Sequence, residues 1–271
     1  MTDDDVPGLA EAAELARRAR RVVVLSGAGM SAESGVPTFR EAQTGLWERF
    51  SSEELATEEA WLENPALVWS WYQWRARLVR GCSPNAGHRA IATWQRRLAQ
   101  QPDGGAAGSL VIATQNVDDL HERAGAEVKA HLHGSLFDYH CAECGTPAEH
   151  DPSEDDPHEQ EPADGPPLCT VCGTGRIRPG VVLFGEMLPE EAFAQTSAAL
   201  EHCDLAVVVG TSALVQPAAT LPYVALGAGA AVVEVNPEVT EFSTAATVHV
   251  AGNAGTVLPA LVDAPNRSSS V

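Results

Sequence analysis

The sequence predicts an α/β fold: a doubly wound parallel sheet with a small inserted module. Three observations predict it. Short, continuous apolar runs alternate with helical patterns, as buried parallel strands alternate with their crossover helices. The first run is followed at once by the tight turn Gly27-Ala28-Gly29-Met30-Ser31-Ala32. Two stretches break the alternation: one holds most of the tryptophans, the other two Cys-x-x-Cys pairs.

The strands are read in order. Val22-Val23-Val24-Leu25 ends at Ser26-Gly27, and Leu110 to Thr114 repeats the pattern. Leu205 to Gly210 and Ala231 to Val235 repeat it again. Leu132 closes a further run before His133-Gly134. Helices are expected at Ala12 to Arg21, Ala86 to Gln100, Pro189 to Glu201 and Pro217 to Leu226. Asn64-Pro65 starts another, with a cap residue and then Pro at the first helical position. The misfits run from about Pro37 to Ser83, with five of the six tryptophans, and from about Phe137 to Pro179. Residues 37–83 and 136–179 are read as one small module; residues 1–36, 84–135 and 180–271 make the large domain. Residues after Ala264 are expected to fray.

Composition narrows the function. Apolar residues reach 44%, enough for a full core. Lys plus Arg number 17 against 37 Asp plus Glu, so the net charge is −20. Such a chain does not track a phosphate backbone, and direct nucleic-acid binding is not expected. Met1-Thr2-Asp3-Asp4-Asp5 lacks the basic region of a signal peptide. The uncharged stretch from Leu205 to Val233 is broken by Gln216, Pro217, Pro222, Gly227 and Gly229, so it reads as strand, turn and helix, not a membrane span. A cytoplasmic protein without membrane contact is expected. Monomer is the favoured state.

Three motifs carry chemistry. The Gly27 turn fits the G-x-G-x-x-A form of a Rossmann-type dinucleotide fingerprint, whose glycines admit a pyrophosphate beside a helix start. A tight strand-to-helix turn also needs glycine without any ligand. The acidic partner about 20 residues on is not in its usual place, since Glu48 lies in the first misfit. Cys141-x2-Cys144-x24-Cys169-x2-Cys172, each pair followed by Gly145 or Gly173, suits one tetrahedral structural zinc ion with no open position. The inserted module is therefore helical and zinc-binding. His140, His150 and His158 are read as solvated, and Cys82 and Cys203 as inert thiols. Last, polar residues crowd the strand ends: Gln115-Asn116-Val117-Asp118, His133-Gly134, Gly210-Thr211-Ser212 and Asn236-Pro237-Glu238. A lone histidine is usually structural, but His133 at such an end suits a general base.

Taken together these residues resemble the sirtuins, NAD-dependent protein lysine deacylases. The matching blocks are GAGMSAESGVPTFR (27–40), TQNVDDLHERAG (114–125), HG (133–134), both Cys pairs, RPGVVLFGE (178–186), GTS (210–212) and NPE (236–238). The resemblance implies roles. Gly27, Ala28, Gly29, Ser31, Phe39, Arg40 and Trp47 would hold NAD around its phosphates and nicotinamide ribose. Gln115 and Asn116 would bind that ribose with Val117 beside them, Asp118 the carboxamide, and His133 would be the base. Asn116 and Asp118 join His133 as the catalytic set. Gly210, Thr211, Ser212, Asn236, Pro237 and Glu238 would take the adenosine half, with Ala254 at adenine. Val182, Phe184, Gly185 and Glu186 would offer an edge to the acyl-lysine peptide.

Where most sirtuins carry Asp, this chain has Thr38, as in the class III branch. Tyr72 and Arg75 fit that branch's Tyr-x-x-Arg, and Ala56 its small acyl-pocket residue. At i and i+3 they share a helix face, where Arg grips a carboxylate and Tyr adds a hydrogen bond. The resemblance thus implies removal of acetyl, succinyl or malonyl groups, giving nicotinamide and 2′-O-acyl-ADP-ribose. Two other readings stay open: a mono-ADP-ribosyltransferase, and a non-catalytic NAD- and zinc-binding adaptor.

Overall fold

The computed structural model describes residues 6–37, 51–100, 107–150 and 165–263. Its strands are β1 (Arg21–Ser26), β2 (Ser109–Thr114), β3 (Ala130–His131), β4 (Gly134–Cys141), β5 (Pro147–Ala148), β6 (Ile177–Val181), β7 (Leu205–Val209), β8 (Ala231–Asn236) and β9 (Val248–Ala251). Its helices are α1 (Leu9–Arg18), α2 (Gly29–Ala32), α3 (Ser52–Leu55), α4 (Glu58–Glu63), α5 (Pro65–Gly81), α6 (Ala86–Ala99), α7 (Leu120–Arg123), α8 (Glu190–Glu201), α9 (Leu221–Gly227) and α10 (Ala254–Asp263).

Among these, six strands form one parallel sheet in the order β3-β2-β1-β7-β8-β9. The chain lays strands outward from β1, returns, and lays the rest outward from β7 on the other side. The reversal point lies between β1 and β7, where Val22 stands beside both Leu110 and Leu205. Both faces are buried, so the strands read as unbroken apolar runs. Val22 and Val24 pack with Leu9 and Ala12 of α1, Ile91 of α6 and Leu258 of α10. Val23 and Leu25 face the other way, against Leu200 of α8 and Leu221 and Ala225 of α9.

Several expected elements move. The first helix spans Leu9–Arg18, not Ala12 to Arg21. Asp204 accepts from the backbone N–H groups of Arg20 and Arg21 at 2.9 and 2.8 Å, which draws Arg21 into β1. The helix expected over Pro217 to Leu226 divides into a 3-10 turn at Ala218–Thr220 and α9. Pro222 lacks an N–H and fits only the first turn of α9. The strand expected through Gly210 stops at Val209, because Gly210 turns to φ +62°. Neither β9 nor α10 was foreseen; Pro259 inside α10 hid the helix pattern. The tail after Ala264 lies outside the described residues.

A second sheet, antiparallel and ordered β5-β4-β6, lies apart from the first. It shares a core with α4 and α5: Trp61, Trp69, Trp71, Leu136, Tyr139, Ile177 and Leu183 pack together. Asn64 Oδ1 accepts from the Leu67 N–H at 3.1 Å and caps α5, with Pro65 opening the helix. A polar N-cap contributes about 1 kcal/mol. Asn64→Ala is therefore expected to lower Tm by roughly 2–4 °C, the shift per kcal/mol in domains of this size class, and Asn64→Asp to restore it. Calorimetric melting of the three proteins checks this; an unchanged Tm in Asn64→Ala would show that the cap contributes nothing.

Candidate functional site

The sheet reversal brings two turns into backbone contact. The Gly27 N–H donates to Val209 O at 2.9 Å and the Gly29 N–H to Gly210 O at 2.8 Å. A Cβ on Gly27 would stand 2.8 Å from Gly210 O, and one on Gly29 2.8 Å from Gly210 Cα. No side chain fits there, which is the physical reason for glycine at these places. Beyond them α2 makes a single turn, so the helix dipole expected to draw a pyrophosphate is short. Next door, Ala213 takes φ +56°, a left-handed conformation that costs about 1–2 kcal/mol for a residue with a Cβ. Strain of this kind gathers at ligand sites.

The predicted polar residues converge on that reversal. Ser31 Oγ donates to Asp118 Oδ2 at 2.8 Å, and Asn116 Nδ2 donates to Ser31 Oγ at 3.2 Å. All three are buried. Burial pushes the Asp118 carboxyl above its usual range, while the Leu120 N–H and Ser31 hydroxyl pull it back. Gln115 Nε2 donates to Thr211 Oγ1 at 3.3 Å, and Asn236 Nδ2 to Thr211 O at 2.9 Å. Ser212 is partly buried, while Pro237 and Glu238 are exposed beyond Asn236, whose Oδ1 takes the Glu238 N–H at 3.4 Å. Ala28 is exposed at the turn tip, and Val117 is tied by its carbonyl to the Leu136 N–H. Ala254 opens α10, whose Gly255 N–H donates to Glu33 Oε2 at 2.6 Å. Thr38, Phe39, Arg40, Trp47 and Glu48 lie outside the described residues.

His133 Nδ1 is 3.0 Å from Gln115 O. A carbonyl only accepts, so Nδ1 carries the proton and Nε2 is left bare to act as a base. Burial pushes the His133 pKa below 6.5, with the Gln115 carbonyl opposing.

The predicted substrate residues gather around α5. Tyr72 and Arg75 sit one turn apart; burial pushes the Tyr72 phenol up and the Arg75 guanidinium down. Arg75 also lies 5.0 Å over the Trp71 ring. The strap after β6 is held at three points. Val182 N–H donates to His133 O at 2.9 Å, Phe184 N–H to Ala56 O at 2.8 Å, and Glu58 N–H to Phe184 O at 3.1 Å. Gly185 is exposed with φ +99°. Glu186 is engaged within the chain: Arg178 grips it with two nitrogens at 2.5 and 3.0 Å, and the Leu183 N–H adds 2.8 Å. Burial opposes the Glu186 charge, yet these donors hold its carboxyl below the usual range. Sequence reasoning placed Arg178 in a matching block but gave it no role, because its partner Glu186 is brought to it only by the fold. It also missed Ser26, His88 and His121, which back the cleft, although His121 follows Asp118 by three residues.

Comparison with known proteins settles the family. Residues 27–217 match the Sir2 family. The chain belongs to the Sir2 family. It is 51% identical over 243 residues to the "NAD-dependent protein deacylase" of Mycobacterium tuberculosis strain H37Rv, covering 90% of this chain and 97% of that one. It is 49% identical over 249 residues to "NAD-dependent protein deacylase 1" of Pseudomonas aeruginosa, covering 92% and 96%. The crystal structure of a Sir2 homolog–NAD complex superposes with a TM-score of 0.81 at 41% identity, covering 93% of this chain and 92% of that one.

The four cysteines fit a metal. Their Sγ atoms lie within 4.8 Å of one another, with Cys141–Cys172 at 3.7 Å and Cys144–Cys169 at 3.8 Å. Four thiolates at about 2.3 Å from one zinc ion form a tetrahedron with edges of about 3.8 Å. Backbone N–H groups aim at the sulfurs: Cys144 N–H at Cys141 Sγ, Val171 N–H at Cys169 Sγ and Gly175 N–H at Cys172 Sγ, each 3.3–3.4 Å away. The N–H groups of Thr174 and Gly175 pull the Cys172 thiol down to about 6, toward the thiolate a metal requires. Both knuckles turn through left-handed glycines, Gly145 at φ +69° and Gly173 at φ +74°. None of the described histidines joins this set. His150, expected to be solvated, packs instead on the Trp69 and Tyr139 rings at 4.9 and 5.0 Å, because the knuckle carries it back over α5. His140 is partly buried in β4, and His158 lies outside the described residues. Cys82 and Cys203 bond to backbone carbonyls, and burial raises both thiols. Removing zinc with a strong chelator, or Cys141→Ala, is expected to unfold the small module and lower Tm. Structural zinc contributes on the order of 10 kcal/mol in small zinc peptides. Metal analysis should find one zinc per chain; a metal-free protein with unchanged Tm would remove the assignment.

Proposed function

We propose that the chain is an NAD-dependent protein lysine deacylase acting on acyl-lysine proteins and peptides. One observation carries the reading: His133, with Nε2 bare, is bonded to the same 115–118 segment whose Asn116 and Asp118 bond to Ser31 of the glycine turn. That turn lies at the strand carboxyl ends, where doubly wound sheets bind their ligands. The names of the relatives and a Sir2 structure with "deacetylated p53 peptide" and "3'-o-acetyl ADP ribose" support it, at 27% identity and a TM-score of 0.73. Gln115 and Asn116 bind the nicotinamide ribose and Asp118 orients the carboxamide. The Gly27–Gly29 turn would hold the phosphates, and Gly210, Thr211, Ser212, Asn236 and Glu238 the adenosine half. Once the acyl oxygen has displaced nicotinamide from the ribose, His133 would take the proton of a ribose hydroxyl whose oxygen then adds to the acyl carbon, and water would complete the release of lysine and 2′-O-acyl-ADP-ribose. The separate sheets and cores support a large domain and a small module, although the small module's core also takes in Val36, Leu120, Val181 and Leu183 from beyond the expected boundaries.

The acyl group is read from α5. Tyr72 is buried and Arg75 half-buried one turn along α5, a phenol and a guanidinium that together suit a ligand carboxylate. Succinyl and malonyl groups do; acetyl does not. Mass spectrometry of acetyl-, malonyl- and succinyl-lysine peptides with NAD tests the activity. Free deacylated peptide with 2′-O-acyl-ADP-ribose is expected; ADP-ribose left on protein would favour a transferase.

His133 is neutral above its lowered pKa and loses base function as pH falls through it. The acid limb of kcat/KM is thus expected below pH 6.5, and His133→Ala should lose about 100-fold or more while retaining NAD binding. An acid limb above 6.5, or unchanged turnover in the variant, would remove His133 from the mechanism.

Arg75→Met tests acyl choice. Losing one partner of a buried charge pair costs about 2–5 kcal/mol, or roughly 30-fold to several thousand-fold in rate. Desuccinylation and demalonylation should fall by that factor while deacetylation changes little. Specificity constants on matched peptides decide; equal losses would make Arg75 structural.

A further inference from the structure

Two histidines that the reaction does not use are buried against each other behind the cleft. His88 in α6 is 0% exposed and His121 in α7 is 2% exposed. Their rings meet edge to face with centroids 4.9 Å apart. Each keeps one buried ring nitrogen without a partner: Nε2 of His88 and Nδ1 of His121. The other two nitrogens are engaged. His88 Nδ1 is bonded to the Asn85 backbone N–H at 3.3 Å, and His121 Nε2 lies 2.9 Å from Ser26 Oγ.

The donors settle the tautomers. A backbone N–H only donates, so His88 Nδ1 is bare and its proton sits on Nε2. Ser26 Oγ gives its one proton to Thr114 Oγ1, so toward His121 Nε2 it accepts. That places the His121 proton on Nε2, donated to Ser26 Oγ. Ser26 Oγ then donates to Thr114 Oγ1 at 2.9 Å, which also accepts the Asn116 N–H at 3.0 Å. The bonded run from His121 thus reaches the segment carrying Gln115, Asn116 and Asp118, while His88 Nε2–H and the bare His121 Nδ1 stay buried without a hydrogen-bond partner. The same Asn85 donates from Nδ2 to Met30 O at 2.8 Å, and so also grips the glycine turn.

We propose that His88 and His121 form a tautomer-locked pair, joined from Nε2–H to Nδ1 through one buried water, that positions the 114–118 segment for NAD. Both are positioning residues, and naming NAD as the ligand rests on the function proposed above. The pair is neutral at working pH. Burial, with Arg89 opposing a second charge, brings His88 down to about 4. Burial brings His121 down to about 3, with His88 and His131 opposing its charge and Glu122 favouring it.

Long-range proton–nitrogen NMR on the full chain labelled with nitrogen-15 histidine reads each ring at pH 7. Both rings are expected as neutral Nε2–H tautomers. A His88 protonated on Nδ1, or either ring as imidazolium, overturns the proposal. Calorimetric NAD titration then separates positioning from packing. His121→Gln keeps a donor near the Nε2 place, whereas His121→Phe keeps only the ring shape. The Phe variant should bind NAD roughly 10- to 100-fold more weakly, the effect of leaving a buried group unpaired, and Gln should recover most of that. Equal losses in the two variants overturn the proposal. If the Phe variant does not fold, the wild-type tautomers decide alone. A wild type that keeps the tautomers but does not bind NAD defeats the functional reading instead.

Discussion

The contact between the Gly27–Gly29 turn and Gly210 is the constraint on which the cleft depends. Strands β1 and β7 are neighbours at the reversal of the sheet, so the turns that leave them must pass each other without side chains. Their backbones bond directly, and this brings Ser31 from one turn and Thr211 from the other to the same place. Every polar residue of the cleft is positioned relative to that contact. Gln115 reaches Thr211 across it, and Asn236 holds the Thr211 carbonyl from the far side.

Desolvation then assigns protonation states. Burial works in one direction on every titratable group around the cleft, toward the neutral form. It raises Asp118 and lowers His133, His88 and His121. Hydrogen bonds choose the tautomer in each case. The Gln115 carbonyl leaves His133 with a bare outer nitrogen, and the Asn85 N–H does the reverse for His88. A base and a purely structural histidine are therefore separated by which backbone group each one meets.

The small module is held by two polar centres within an aromatic core. The thiolate cluster closes one end of β4 and β6, where Cys141 pairs with Ile177. Beside it, from the Arg178 position opposite His140, the Arg178–Glu186 pair folds the strap back on itself, so that Val182 and Phe184 bond to His133 and Ala56. Breaking such a pair costs about 3–5 kcal/mol because one charge is left buried. The strap after β6 is thus tied to both His133 and Ala56.

Some of this was legible in residue order. Val22 to Leu25 and Leu205 to Val209 are apolar throughout because both sheet faces are covered, and that pattern needs no coordinates. Cys-x-x-Cys-Gly is local geometry, and so is Asn64-Pro65. The blocks around Gly27, Gln115 and His133 pointed to one family because their order along the chain is specific. What the sequence could not determine involves partners distant in the chain. Arg178 needs Glu186 folded back, Asp204 reaches 183 residues to claim Arg21, and His121 lies 95 residues from Ser26. Strand β9 and helix α10 escaped because a four-residue strand and a Pro-containing helix carry weak periodicity. Burial of His88 beside His121 is a property of packing alone: a histidine in a polar stretch looks solvated until the fold closes over it.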